Sequence, residues 1–288
     1  MYLVIDVGGT YTKYGYFDLD GNCFKQGKYP TIKTNKEEFY NEIILLAKDV
    51  KGIAISIPGL IDSQKGYVHA ITLLPFLAHQ NIKQDLQEQT HLPVTIENDA
   101  KCATLGELWK GHLQNVHNGL FLVFGSGIGG TLIINGQMMI SPRYKAGEIG
   151  SLLMPKDLQY TEMTNFGAHN NANQIIQKIS QAIHCQEDGF VVFDAIQKNQ
   201  TAYQIFEQYC REIAFTIYNL DYILDLDIVC IGGGISEQPL FIETVQKQFQ
   251  QLRDTYKEDD HQPIITACLH HNQANLFGAL YHFQMIHK

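Results

Sequence analysis

The sequence has few cysteines and no cluster of them. Its 288 residues contain 6 cysteines, and the two that are closest along the chain, Cys210 and Cys230, are 20 residues apart. Zinc or iron–sulfur sites built from CxxC pairs are therefore excluded. The simplest interpretation is a set of reduced thiols in a cytoplasmic protein.

Long apolar segments and runs of basic residues are absent as well. The longest unbroken apolar runs, such as LFLVF at 120–124, are far shorter than the roughly 20 residues of a membrane-spanning helix. The N-terminal MYLVIDVGGT has no basic segment of the kind that begins a signal peptide. With 21 Lys and Arg against 30 Asp and Glu, the net charge is −9. We therefore expect neither a membrane nor a nucleic acid as a partner.

The composition is that of a folded globular protein, with 45% hydrophobic and 18% charged residues. The length exceeds what one ordinary core needs, so the sequence predicts two domains or one large α/β domain. Each half begins with strands in hairpin succession and continues in β–α alternation, which favours two related α/β domains with a cleft between them. We place them at 1–115 and 116–272, and expect a C-terminal helix at 273–288 to pack back on the first.

Hydrophobic spacing predicts most of the regular elements. Asp20-Gly21 and Asn135-Gly136 are typical of hairpin turns. Strands are expected at 2–5, 11–18, 52–59, 93–98 and 228–232, and helices at 36–49, 81–91, 99–111, 171–186, 200–224 and 273–287.

Three glycine-rich loops each follow a buried strand, at 6–10, 124–130 and 230–234. Glycine lets backbone N–H groups approach phosphate oxygens closely, although one such loop alone is more often a tight turn. No GxxxxGK[ST] occurs, and the segment after GSGIGG is predicted to be a strand. A P-loop NTPase and a dinucleotide-binding βαβ unit are both disfavoured.

A carboxylate stands at a strand-to-helix junction in the segment Glu97-Asn98-Asp99-Ala100. An Asp at this position is often only a helix cap. Beside phosphate loops, at the carboxyl end of a strand, it is also where a general base would lie.

Six motifs, in a fixed order over nearly the whole chain, resemble the ROK family of sugar kinases within the actin/hexokinase/Hsp70 ATPase superfamily. A seventh segment, NLFGAL (275–280), resembles the closing part of that family. The six motifs are DVGGTYTK (6–13), SIPGLID (56–62), ENDAKCATLGE (97–107), GSGIGGTLIING (125–136), AGEIGS (146–151) and CIGGGIS (230–236).

The resemblance implies two ribonuclease-H-like, actin-like ATPase domains flanking an active-site cleft, a homodimer, and transfer of phosphate from MgATP to a sugar hydroxyl. Asp99 would be the catalytic base, and Asp6 would hold Mg²⁺ through water. Sugar contacts would come from Asn98, Asp99, Glu148, Glu162 and Gly59. Nucleotide contacts would come from Asp6, Gly8, Gly9, Thr10, Lys13, Ser126, Gly127, Gly129, Gly232, Gly233 and Gly234.

The sequence departs from the family pattern where many members bind a structural zinc. Those members have a His three residues after the Glu of AGExG and a CxCGxxGC cluster. Here position 151 is Ser, and 152–167 contains no Cys. No zinc site is expected, and the sugar pocket must be built differently around Ser151.

The acceptor sugar stays open among glucose, fructose, N-acetylmannosamine and β-glucosides. A sugar-responsive repressor is disfavoured by the acidic charge and by a chain that starts at the first strand of the kinase fold. A catalytically silent sugar-binding regulator is the main alternative, and Asp6 and Asp99 argue against it because binding alone needs neither. A third alternative, an ATPase acting on a protein partner, lacks a substrate-binding extension.

Overall fold

The computed structural model describes residues 1–154, 165–258, 261–270 and 273–287. The chain forms two compact units. The first contains residues 1–114 and 140–145 together with the C-terminal helix, and the second contains 115–139 and the described residues from 146 to 270. The segment 140–145 thus groups with the first unit, whereas the sequence predicts it in the second domain.

Twelve strands are found in the described residues. They are β1 (Tyr2–Val7), β2 (Tyr11–Phe17), β3 (Cys23–Pro30), β4 (Ile53–Ile57), β5 (Leu60–Asp62), β6 (Tyr67–Ala70), β7 (Val94–Asn98), β8 (Gly119–Phe124), β9 (Ile128–Ile134), β10 (Gln137–Met138), β11 (Ile228–Gly232) and β12 (Ile264–Ala267).

Nine α-helices are found in the same part of the chain, and none of them is long and apolar enough to cross a membrane. They are α1 (Lys36–Leu46), α2 (Ile82–Thr90), α3 (Asp99–Lys110), α4 (Phe166–Asn170), α5 (Ala172–Ile183), α6 (Gly189–Lys198), α7 (Gln200–Leu224), α8 (Pro239–Tyr256) and α9 (Ala274–Ile286).

The two units contain sheets of the same design. The first sheet has the order β3-β2-β1-β4-β7 and the second the order β10-β9-β8-β11-β12. In each, three antiparallel strands are followed by two strands parallel to the first of them. The prediction of two related α/β units is confirmed by this repeat.

The first sheet is buried on both faces. Neighbouring residues of β1 point to opposite sides, so Ile5 joins one core with Phe39 of α1 while Val4 joins another with Leu280 of α9. All five residues of β4 are buried, as expected for a central parallel strand that is covered by helices on both sides.

Helices α3 and α9 pack with their backbones in close approach. A Cβ at Gly278 would collide with the carbonyl group of Cys102, and one at Gly106 would collide with the carbonyl oxygen of Ala274. A residue with a side chain at Gly278 would force the two helices apart. This crossing brings the start of α9 to the strand ends of the first sheet.

The second sheet is covered by a helical layer whose core includes Leu122 of β8, Phe206 of α7 and Phe241 of α8. The predicted helix at 200–224 coincides with α7, and Asn135-Gly136 forms the turn between β9 and β10, with positive φ at both residues. Strand β12 and helix α6 were not predicted. Both are short, and neither has a strong periodic pattern.

Candidate functional site

Three strands of the first unit end at the same edge of its sheet. The parallel registers pair Asp6 of β1 with Ser56 of β4, and Ser56 with Glu97 of β7. The next position pairs Ile57 with Asn98. Polar residues predicted from motifs 90 residues apart therefore lie in one row, at the carboxyl ends where α/β sheets bind their ligands.

Asp6 is buried, with 7% of its surface exposed. Its Oδ1 accepts hydrogen bonds from Ser56 Oγ at 3.0 Å and from Asn275 Nδ2 at 2.9 Å. Burial raises the pKa of Asp6, while the two hydrogen bonds and the positive charge of Lys13 counteract that rise. Because both donors bind the same oxygen, the orientation of the carboxylate is fixed.

Ser56 and Asn275 were not among the residues predicted to form the site. Both lie in segments quoted for the family resemblance, SIPGLID and NLFGAL. Asn275 reaches Asp6 only because α9 packs against α3 and β1. The sequence contains no local signal for that contact.

The turn between β1 and β2 is held by several hydrogen bonds. The Gly8 N–H donates to Tyr11 O at 3.2 Å, and the Gly8 carbonyl accepts from Thr31 Oγ1 at 2.7 Å. The Thr31 N–H donates to the carbonyl of Thr10 at 3.0 Å. A Cβ at Gly9 would meet no atom within 4 Å, so this turn is rigid and has open space at its tip.

Asn98 is the N-cap residue of α3, and Asp99 is the first residue of the helix. The Asn98 Oδ1 accepts from the Lys101 N–H at 3.1 Å, and its Nδ2 donates to the carbonyl of Gly59 at 3.0 Å. The Asp99 Oδ1 accepts from the N–H of Ala100 at 2.8 Å. Capping of α3 is therefore done by Asn98, and the alternative that Asp99 is merely the helix cap is wrong.

A buried pair of opposite charges lies directly beneath this junction. Glu97 is 1% exposed and Lys101 is 6% exposed. Burial raises the pKa of Glu97, and the charge of Lys101 opposes the rise. The Lys101 ammonium lies 5.7 Å from the ring centre of Tyr144, whose hydroxyl is hydrogen-bonded to Asp62. This polar cluster, which the sequence did not predict, supports the first turn of α3 from below.

In the second unit, Gly125–Gly127 form a tight turn between β8 and β9. The Gly125 N–H donates to Gly127 O at 2.9 Å, and the N–H of Ala172, the first residue of α5, donates to Gly125 O at 3.1 Å. Ser126 is exposed, and a Cβ at Gly125 or Gly127 would meet nothing within 4 Å. Gly129 lies outside this turn, because it pairs with Val123 inside β9.

The Gly232–Gly234 segment meets the end of β8. Gly233 has φ +91°, and a Cβ there would collide with the backbone of Phe124. Gly232 ends β11, and Gly234, which begins a short 3-10 turn, has open space where its Cβ would be. The two predicted glycine loops of this unit are thus in contact with each other.

Glu148 and Ser151 are both exposed, and the Ser151 N–H donates to Glu148 O at 3.0 Å. Their segment packs closely on β9, since a Cβ at Gly130 would lie 2.5 Å from the carbonyl oxygen of Gly147. The remaining predicted sugar contact, Glu162, lies outside the described residues.

The sequence was compared with known proteins. The family model described as "ROK family" matches residues 2–285. A β-glucoside kinase from Listeria innocua serovar 6a is 32% identical over 291 residues, covering 96% of this chain and 95% of the relative.

Solved structures give the same assignment. A ROK family protein from Streptococcus pneumoniae TIGR4, in complex with sucrose, has a TM-score of 0.87 at 27% identity, covering 99% of this chain and 98% of the other. A ROK family glucokinase from Streptomyces griseus, in complex with glucose and AMPPNP, has a TM-score of 0.78 at 20% identity, covering 96% and 98%. The repeated sheets therefore have the actin-like ATPase fold, and the chain belongs to the ROK family.

Proposed function

We propose that this protein is a sugar kinase that transfers the γ-phosphate of MgATP to a hydroxyl of a hexose or hexose derivative. Membership of the ROK family and the kinase relatives support the reaction class. From the family resemblance we further propose that it works as a cytoplasmic homodimer.

The observation that carries the proposal is the division of labour at the start of α3. Asn98 caps the helix, so Asp99 is not needed for that purpose and stands half-exposed in the first turn. The N-terminal end of a helix favours a negative charge. Asp99 would accept the proton of the sugar hydroxyl as its oxygen attacks the γ-phosphorus.

The residues present also fit a magnesium nucleotide. Mg²⁺ is usually held by one or two carboxylates together with substrate phosphates and water, and it would offset the charge of the phosphates. Asp6 supplies one oriented carboxylate, with both of its hydrogen bonds on Oδ1. Open space at the glycines of the predicted nucleotide loops gives phosphate and ribose oxygens access to backbone N–H groups. These glycines are Gly9, Gly125, Gly127 and Gly234.

The sugar would be bound mainly by amide and carboxylate groups. An amide nitrogen has two hydrogens, so Asn98 can donate to a sugar hydroxyl while it holds Gly59. Glu148, exposed on its packed segment, and Glu162 would bind other hydroxyls. The Listeria innocua relative acts on β-glucosides, and the Streptococcus pneumoniae protein is complexed with sucrose. Glucose and its glycosides are therefore the first acceptors to try.

The test is turnover of the Asp99→Asn variant. The change keeps the shape of the side chain and removes the base, so kcat should fall by about 10²–10⁴-fold, while KM for the sugar changes little. Asp20→Asn is the matched control, since Asp20 is exposed in the turn between β2 and β3, and it should keep full activity. Near-normal turnover of Asp99→Asn would sink the assignment.

A further inference from the structure

A cleft in the helical layer of the second unit has no part in the proposed reaction. It lies between the end of α4, the first half of α5 and the N-terminal half of α7, and has a volume of about 300 Å³. Lys178 and Glu212 stand among its lining residues. The other principal lining residues are Asn170, Ile175, Gln204, Ile205, Gln208 and Tyr209.

Two side chains in this cleft are buried without hydrogen-bond partners among the described residues. Asn170 is 1% exposed, and neither its Nδ2 nor its Oδ1 is bonded. Tyr209 is 4% exposed, and its hydroxyl is also unbonded. Most buried polar groups in native proteins are paired. Two unpaired side chains lining one cavity indicate that a molecule completes their hydrogen bonds.

The donor set limits the chemistry of that molecule. The Asn170 amide requires an acceptor beside a donor, and the Tyr209 hydroxyl can act as either. Neighbouring hydroxyl groups on a ligand satisfy all three atoms. Lys178 and Glu212 have opposite charges, and the Lys178 ammonium donates to the carbonyl of His169 at 3.2 Å. The balance of charge favours an uncharged ligand.

The walls and the volume agree with one small ring. Ile175 and Ile205 give apolar surface beside the Tyr209 ring, which suits the C–H groups of a sugar. An apolar cavity of about 150 Å³ holds benzene. Twice that volume accommodates one pyranose ring with its hydroxyl groups.

We propose that this cleft binds a neutral polyhydroxylated molecule of the size of one hexose. None of its lining residues belongs to the set assigned to phosphate transfer. The proposal therefore goes beyond the proposed function and does not depend on it.

The test counts sugar sites per chain by equilibrium dialysis without nucleotide. The radiolabelled probes are D-glucose, D-mannose, D-fructose, N-acetylglucosamine and myo-inositol. At least one probe should occupy the cleft in the wild type and lose that site in Asn170→Leu, which keeps the volume and removes the amide. Asn219→Leu, an exposed position further along α7, is the matched control and should keep the site. Overturning results are no Asn170-dependent site with any of the five probes, or loss of the site in the control.

A second variant covers the case in which Asn170→Leu does not fold. Tyr209→Phe removes one hydroxyl, and it should weaken binding at the cleft at least fivefold while leaving other binding unchanged. An unchanged affinity would contradict the proposal, as would a lower unfolding temperature of ligand-free Asn170→Leu, because that result would mean the amide is satisfied by water. Asn98→Ala separates the two hypotheses. If it leaves every sugar site intact, the proposed kinase site fails and the cleft stands.

Discussion

Acidification should weaken the attachment of α9 through one buried histidine. His282 lies on α9 and is 7% exposed. Burial lowers the pKa of His282 from 6.5 to about 4, and the positive charges of Lys83, His287 and Lys101 act in the same direction. The folded chain therefore holds this imidazole neutral at pH 7.

The sign and size of the effect follow from proton linkage. Between pH 6.5 and about 4 the unfolded chain binds this proton and the folded chain does not, so stability is lost as the pH falls through that window. A tenfold difference in proton affinity between the folded and unfolded chains is worth about 1.36 kcal/mol, so the full loss is roughly 3 kcal/mol. About 2 kcal/mol of it would be lost by pH 5.

Urea unfolding of the wild type and of His282→Leu at pH 7.5 and pH 5 measures this loss. The single tryptophan, Trp109, stacks on Tyr281 of α9 at 5.4 Å and 7°, so its fluorescence reports whether α9 is in place. The leucine variant should gain about 2 kcal/mol on the wild type between the two pH values. The control His91→Asn, at an exposed position that ends α2, should track the wild type. A difference between wild type and His282→Leu that is the same at both pH values would refute the reasoning.

Two further substitutions test the strand ends and the second glycine segment. Asp6→Asn keeps an Oδ1 acceptor for Ser56 and Asn275 and removes a carboxylate whose pKa burial raises, so calorimetry at pH 7 should show a higher unfolding temperature while phosphate transfer is lost. A lower unfolding temperature would contradict the burial argument. Gly233→Ala should cost roughly 2–4 kcal/mol in urea unfolding, because of its positive φ and the collision of the new Cβ. Gly234→Ala, where a Cβ meets open space, should cost less than about 1 kcal/mol yet raise the KM for ATP; equal costs at the two positions would be against the assignment.

The sequence predicted the elements whose signals are local. Alternating apolar residues and Asn-Gly turns indicate hairpins wherever they occur, and long periodic segments such as 200–224 can only pack as helices. The repeat of the two sheets follows from the same patterns in each half. These signals were enough to place Asp6 and Asn98 at strand ends.

The interactions that orient the site could not be predicted in this way. The bond from Asn275 to Asp6 joins residues 269 positions apart, and it exists only because Gly278 lets α9 approach α3. Asn98 and Asp99 are both good helix caps, so only the structure shows which one performs that role. The glycine run at 125–130 likewise does not reveal where the turn stops, and Gly129 proved to be part of a strand.

The assignment as a sugar kinase is tested most directly by coupled ADP release with MgATP over a panel of sugars. The panel contains glucose, mannose, fructose, N-acetylglucosamine, N-acetylmannosamine, cellobiose and sucrose, each assayed with the wild type and with Asp99→Asn. The account predicts turnover with at least one sugar, and a large loss of it in the variant. Binding of sugar without any turnover would contradict it in favour of a silent regulator, and ADP release without sugar would indicate an ATPase instead.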